Sequence, residues 1–322
     1  MTPPRLAEYL SIGPELLSAL PLAAAVLCAL YGWGVIRLMR QRRPWPIGRT
    51  AAFVAGCTVL AGATGLGVER YAGQILSVFM FQQLTLMMIV PPLLVLGSPG
   101  RLLLRATPHS GMPGVALRIA LGALRSRWAR WTLSPVVALP LYLLAFYGLY
   151  LADFLDPILA IPGGRLLLQT GFLVAGMLFT IPALTDDPVP ARMGYGMRAL
   201  DLFAEAALHA FFGVFMMMSP SLMVEHFSAS TSALGMDPLS DQGLAGGLAW
   251  SYGEGPTLLM LLYIMHRWFR ADTAAARAAD RQADAHGDPE LDAYNAHLAA
   301  LQARAHPGRG PESLRNEDHG RN

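Results

Sequence analysis

Asp201, Glu205 and His209 recur at four-residue intervals inside a stretch that is otherwise apolar. That spacing places all three on one face of a helix. Met216, Met217 and Met218 follow within the same stretch. An imidazole with thioethers is a soft donor set that suits Cu(I). A carboxylate–carboxylate–imidazole ladder could equally pass protons, or the three groups could gate a solute. They could also do no more than hold helices in register, at about 0.6 kcal/mol for each interhelical hydrogen bond. Glu254, set among Gly253, Gly255 and Pro256, adds another buried ionisable group, and Asp241 and Gln242 stand at the mouth of its helix.

A second concentration of polar groups lies in residues 75–99, ILSVFMFQQLTLMMIVPPLLVLGSP. This stretch is apolar and long enough to cross a bilayer, which takes about 20 helical residues. It nevertheless carries Met80, the adjacent amides Gln82 and Gln83, and the pair Pro91 and Pro92. Each proline removes a helical hydrogen bond, and amides in hydrocarbon need protein partners. Residues 75–99 therefore form a bent helix inside a bundle, lining a cavity together with Gln169 of a later span.

The elements that carry these groups follow from composition. The 322 residues are 54% hydrophobic and 14% charged, against roughly 25% charged in a soluble domain. Apolar blocks at 16–36, 50–66, 75–99, 133–151, 166–184, 199–218 and 245–268 read as membrane spans. All 24 cationic side chains are arginines, and only Arg5, Arg70 and Arg165 fall on the side of the membrane that holds the N-terminus. That asymmetry predicts an all-α, polytopic membrane helix bundle of about seven transmembrane helices, N-terminus outside and C-terminus cytoplasmic. The chain divides into a short extracytoplasmic segment at 1–15, a membrane domain at 16–270 and a cytoplasmic tail at 271–322. The tail is expected to be helical, with a helix opened by Asp288 and Pro289, and then disordered. Residues 115–131, with arginines set against Leu117, Leu121, Leu124, Trp128 and Trp131, read as an amphipathic helix on the inner membrane face.

Cys28 and Cys57 lie within spans, so neither a disulfide framework nor a structural zinc site is expected. No P-loop, nucleophile elbow, HExxH or haem-attachment motif occurs, and the expectation is a non-enzymatic protein without a nucleic-acid partner.

The chain resembles the CtaG-type cytochrome c oxidase assembly factors. The likeness rests on SVFMFQQLTLMMIVPPLLVLGSP, GFLVAGMLFTIP, LHAFFGVFMM and DQGLAGGLAWSYGEGP, with the Arg-Trp-Phe-Arg-Ala-Asp exit that begins at Arg267. The resemblance implies a multi-pass bacterial plasma-membrane protein that works with haem–copper oxidase subunits and handles Cu(I) on the outer side. His209 keeps a family imidazole, and Ser77, Met80, Gln82, Asp241, Gln242 and Trp250 keep family identities. Phe79, Gln83, Gln169 and Gly171 stand where the family carries histidines. A Cu(I) site in this chain would accordingly use His209, Met80 and Met217, the last from the Met216 to Met218 run. A copper- or proton-coupled permease using Glu205, His209 and Glu254, and a structural subunit of a respiratory complex, are the competing expectations.

Overall fold

The computed structural model describes residues 4–108, 126–185, 193–286 and 289–305, with positions 111, 114, 115, 118, 119 and 122 between them. Two compact units divide the chain, Met1–Met265 and His266–Asn322. Among the described residues the structure is helical, with one isolated bridge between Ile12 and Leu66. The protein is an all-α membrane bundle. Among the described residues five helices are long and apolar enough to cross a bilayer: α1 (Ala19–Arg40), α2 (Ile47–Gly65), α3 (Leu76–Ala106), α5 (Gly164–Leu184) and α6 (Tyr195–Met218). A shorter apolar helix, α4 (Pro135–Leu151), lies between α3 and α5, and α7 (Pro238–Tyr252), α8 (Glu254–His286) and α9 (Pro289–Ala305) follow α6.

Helix α3 is the hub of the bundle: 78% of its apolar window is buried, against 28% for α1. It packs on α2, α5 and α7. Its double proline is absorbed in a specific way. Pro91 and Pro92 cannot donate to the carbonyls of Met87 and Met88, and the preceding turn, Thr85–Ile89, widens into a π segment. Helix α4 contains a second π segment, Leu144–Gly148. Ser98 then turns α3 with a left-handed backbone (φ 50°) between Leu96 and Pro99.

Helix α6 is polar inside and apolar outside. Asp201, Glu205, His209, Phe212 and Met216 are buried, while Phe203, Phe211 and Phe215 are 67%, 71% and 54% exposed. An exposed phenylalanine stripe suits hydrocarbon rather than water. The buried side meets α7 at close range. A Cβ on Gly213 would stand 2.5 Å from the Trp250 amide nitrogen, and one on Gly246 2.5 Å from that of Met217. Only glycine at both positions lets these backbones touch.

Several expectations change. The final apolar stretch is expected as one span over 245–268, but helix begins at Pro238, with Asp237 as its N-cap, and is interrupted at Gly253. The connection before it is not a plain loop, because Ser228–Ala233 is helical. Glu254, expected to be buried, is half-buried and lines a lateral groove of about 250 Å³ with Phe203, Thr257 and Leu258. Part of the amphipathic segment 115–131, including Leu117, Leu121 and Leu124, lies outside the described residues, as do Asp288 and everything beyond Ala305. Within that segment Arg127–Thr132 is helical, with Trp128 and Trp131 exposed.

Candidate functional site

The polar groups gather in two places of opposite character. The first surrounds Glu69, in the short helix Gly67–Tyr71 that links α2 to α3. Glu69 Oε2 accepts from Gln82 Nε2 at 2.6 Å and from Gln169 Nε2 at 2.7 Å, while Oε1 pairs with Arg165 Nη2 at 2.8 Å. Arg165 also donates to the Glu69 carbonyl. Gln82 further donates to the Ala63 carbonyl at 2.7 Å, and Gln169 donates to Gln82 Oε1 at 3.1 Å. Burial raises the Glu69 pKa above the ordinary carboxylate value, opposed by the Arg165 guanidinium and the two amide donors. Nearby, the Arg70 guanidinium holds the Glu15 carboxyl below its usual value across a 3.0 Å pair. Three elements are thus joined through one carboxylate, and Gln82 ties in a fourth, α2, through the Ala63 carbonyl.

The adjacent amides part company because successive helical residues point about 100° apart. Gln83 turns toward α4, accepting from Tyr150 Oη at 2.7 Å and donating to the Ala145 carbonyl at 2.9 Å. Asp241 and Gln242 serve backbone rather than a mouth. Asp241 accepts from the amides of Leu76 at 2.8 Å and Ser77 at 3.3 Å, capping the start of α3 from another helix. Gln242 accepts from the Met223 amide at 2.6 Å and donates to the Ser221 carbonyl at 3.0 Å.

The second concentration is the α6 ladder, and here partners are scarce. Glu205 and His209 have no exposed surface, and Asp201 is 6% exposed. Asp201 Oδ2, Glu205 Oε1 and both ring nitrogens of His209 are buried without a hydrogen bond. The bond that Glu205 does make, from Thr257 Oγ1 to Oε2, is long at 3.3 Å, and the same hydroxyl also donates to the Gly253 carbonyl. Tyr142 of α4 lies beside Glu205. The His209 ring rests against Phe146 with centroids 5.3 Å apart, and the Ala249 carbonyl faces it outside normal bonding geometry.

A Cβ on Gly253 would stand 2.2 Å from His209 Cε1, 2.6 Å from Nε2 and 2.8 Å from Met88 Sδ. The break between α7 and α8 is therefore a cradle for an imidazole and a thioether. Met88 belongs to the π segment of α3 and Phe146 to that of α4. Both widened turns converge on His209, and π turns often mark functional sites.

Of the three expected metal ligands, His209 and Met80 are fully buried and Met217 is 42% exposed. Met217 lies eight residues past His209, about 12 Å along the axis at 1.5 Å per residue. The thioether set beside the imidazole is that of Met88, which the sequence reading passes over. Its signal is indirect: the prolines three and four residues later free the carbonyls of that turn. Glu69 lies in the short connection between the 50–66 and 75–99 stretches. Its signal is isolation, since it is the one carboxylate between residues 16 and 152. Among the described residues no three His, Cys, Asp or Glu side chains are grouped to hold a metal.

The family model for the cytochrome c oxidase caa3 assembly factor, Caa3_CtaG, matches residues 29–271. The chain belongs to this family. Among curated proteins, the Caa3_CtaG chain is 35% identical over 303 residues to the uncharacterized protein Mb0105 of Mycobacterium bovis, covering 93% of this chain and 46% of that one. It is 31% identical over 313 residues to the uncharacterized protein ML1998 of Mycobacterium leprae, with the same coverage of each. The chain spans about half the length of the curated relatives it matches. No solved structure matches it. Three of the positions where the resemblance sets histidines now have clear packing or bonding roles in this Caa3_CtaG member. Phe79 packs on Phe172 and Phe227, with centroids 6.0 and 5.5 Å apart, and Gln83 and Gln169 are hydrogen-bonded within the bundle.

Proposed function

We propose that the protein is a non-enzymatic assembly factor for a haem–copper cytochrome c oxidase in the bacterial plasma membrane, acting through contact with oxidase subunits. The observation that carries this reading is the family match over most of the chain, residues 29–271. The arginine distribution supports an N-terminus outside and a cytoplasmic C-terminus. The test is deletion in the native host: assembled oxidase, read from reduced haem spectra and the amount of the mature complex, falls sharply. Unchanged oxidase content overturns the proposal.

A finer reading concerns Cu(I) as cargo. It is favoured by an imidazole with both nitrogens unengaged and a thioether in the same glycine cradle, a donor pair that suits a soft monovalent ion. His209 and Met88 would hold the ion, and Met80 and Met217 would serve its passage. Metal content of protein purified under reducing conditions tests this part alone. Wild type binds Cu(I) and His209→Ala does not; absence of Cu(I) from both removes copper handling and leaves the assembly role standing. A copper- or proton-coupled permease would instead need Glu205 and Glu254, and Glu205→Gln would then abolish solute uptake without loss of folded protein.

A further inference from the structure

Helices α6 and α8 leave between them the lateral groove of about 250 Å³, within the apolar run 245–268 of α8. Phe203 and Leu258 in its walls are 67% and 56% exposed, so it opens sideways to hydrocarbon. Ala206 and Ala207 also line it, and their small side chains leave it room.

The groove has two polar residues, and both offer acceptors. Glu254 is half-buried, and its carboxylate makes no hydrogen bond or ion pair among the described residues. Thr257, one turn further along α8, commits its hydroxyl proton to Glu205 Oε2 at 3.3 Å or to the Gly253 carbonyl at 3.2 Å. Its oxygen is left to accept. Behind it Glu205 is fully buried, and Oε1 has no hydrogen bond. None of the described lining residues is cationic. An anionic headgroup would meet only acceptors here, and what the groove lacks is a donor. Residues three apart on a helix are neighbours, so Glu254 and Thr257 form a pair of acceptors on one wall of an apolar slot. Apolar walls with a few convergent polar groups are the usual build of a small-molecule site. A carboxyl group at membrane depth is costly until it is matched.

We propose that this groove binds the head of a membrane-soluble quinol, a neutral aromatic diol on an apolar tail. One hydroxyl donates to the Glu254 carboxylate and the other to Thr257 Oγ1. The ring lies against Phe203, where an aromatic pair adds to apolar burial, and the tail leaves past Leu258 into the bilayer. The matching quinone has the same shape but carries only carbonyl acceptors, so it fits the walls and not the polar pair. A lipid alcohol brings one donor to two acceptors.

Equilibrium binding of a short-tailed ubiquinol, and of its quinone, to the full chain in anaerobic nanodiscs tests the site, with empty nanodiscs as the blank. Wild type binds the quinol about tenfold more tightly than the quinone. In Glu254→Gln, whose amide brings a donor of its own, the preference falls to about even. Ala206→Leu fills the slot and weakens both, and melting temperatures show that each variant is folded. Equal binding of the two forms to wild type overturns the proposal, as does an unchanged preference in folded Glu254→Gln or unchanged affinity in folded Ala206→Leu. A second measurement uses wild type alone. A lipid-soluble carbodiimide, which adds a carboxyl group across its C=N bond, labels Glu254 in native membranes, and the quinol protects it where the quinone does not. Absence of the label, or a label that the quinol leaves undiminished, overturns the site. Equal protection by a long-chain alcohol shows a different occupant and overturns it as well.

Discussion

Glu69 and His209 are both polar groups enclosed by apolar helices, yet one is saturated with partners and the other has none. The Glu69 carboxylate engages Arg165, Gln82 and Gln169. His209 offers two ring nitrogens to a cradle formed by Gly253, Met88 and Phe146, without a hydrogen bond to either. A buried polar group with its bonds made stabilises the fold, and one without them destabilises it by up to a few kcal/mol. The contrast separates a side chain that ties this bundle together from one whose polar atoms are enclosed without partners.

Mutations sharpen or break that contrast in order of size. Glu69→Ala leaves Arg165 and two amides without their acceptor and is expected to cost about 3 kcal/mol, read as a lower melting temperature in detergent. A loss below about 1 kcal/mol would show that the hub is not structural. Gln83→Leu strands the Tyr150 hydroxyl and the Ala145 carbonyl and is expected to cost about 2 kcal/mol in the same assay. Asp241→Ala uncaps α3 for about 1 kcal/mol, visible as faster hydrogen exchange at Leu76 and Ser77. His209→Leu is expected to stay within about 0.5 kcal/mol of wild type, since it removes unmet polar atoms, while oxidase assembly is lost. A large fall in stability there would mean that the imidazole is structural after all. The smallest effect is in pH. Because Glu69 titrates above its ordinary value in the folded protein, its contribution to stability is full at low pH and declines as pH rises through that raised pKa. Glu69→Gln should flatten this dependence.

Much of the frame is legible from residue types. The span expected at 75–99 is observed as Leu76–Ala106, and the ladder on α6 is buried on one face as its spacing requires. What the sequence conceals is pairing. Gln82 and Gln83 look alike as neighbours, yet one helical step sends them to different partners, 13 and 62 residues distant in the chain. Periodicity does not reveal a π turn, so Met88 reads as one more apolar filler until the widened turn presents it to His209. Hydropathy also gives 245–268 as one span because Gly253 interrupts the helix without interrupting the apolar run. Glu69 falls in a short connection, and it is the return of α5 with Arg165 and Gln169 that encloses it.

The cap on α3 has a consequence for biogenesis. The amides of Leu76 and Ser77 receive their acceptor from Asp241, 165 and 164 residues later in the chain. A ribosome that has delivered α3 to the membrane must synthesise α4 and the two long helices α5 and α6 before that acceptor exists. The most enclosed helix of the bundle is therefore threaded early and finished late. Nascent chains halted before Pro238 should leave its first turn open to protease, and those released after Tyr252 should not.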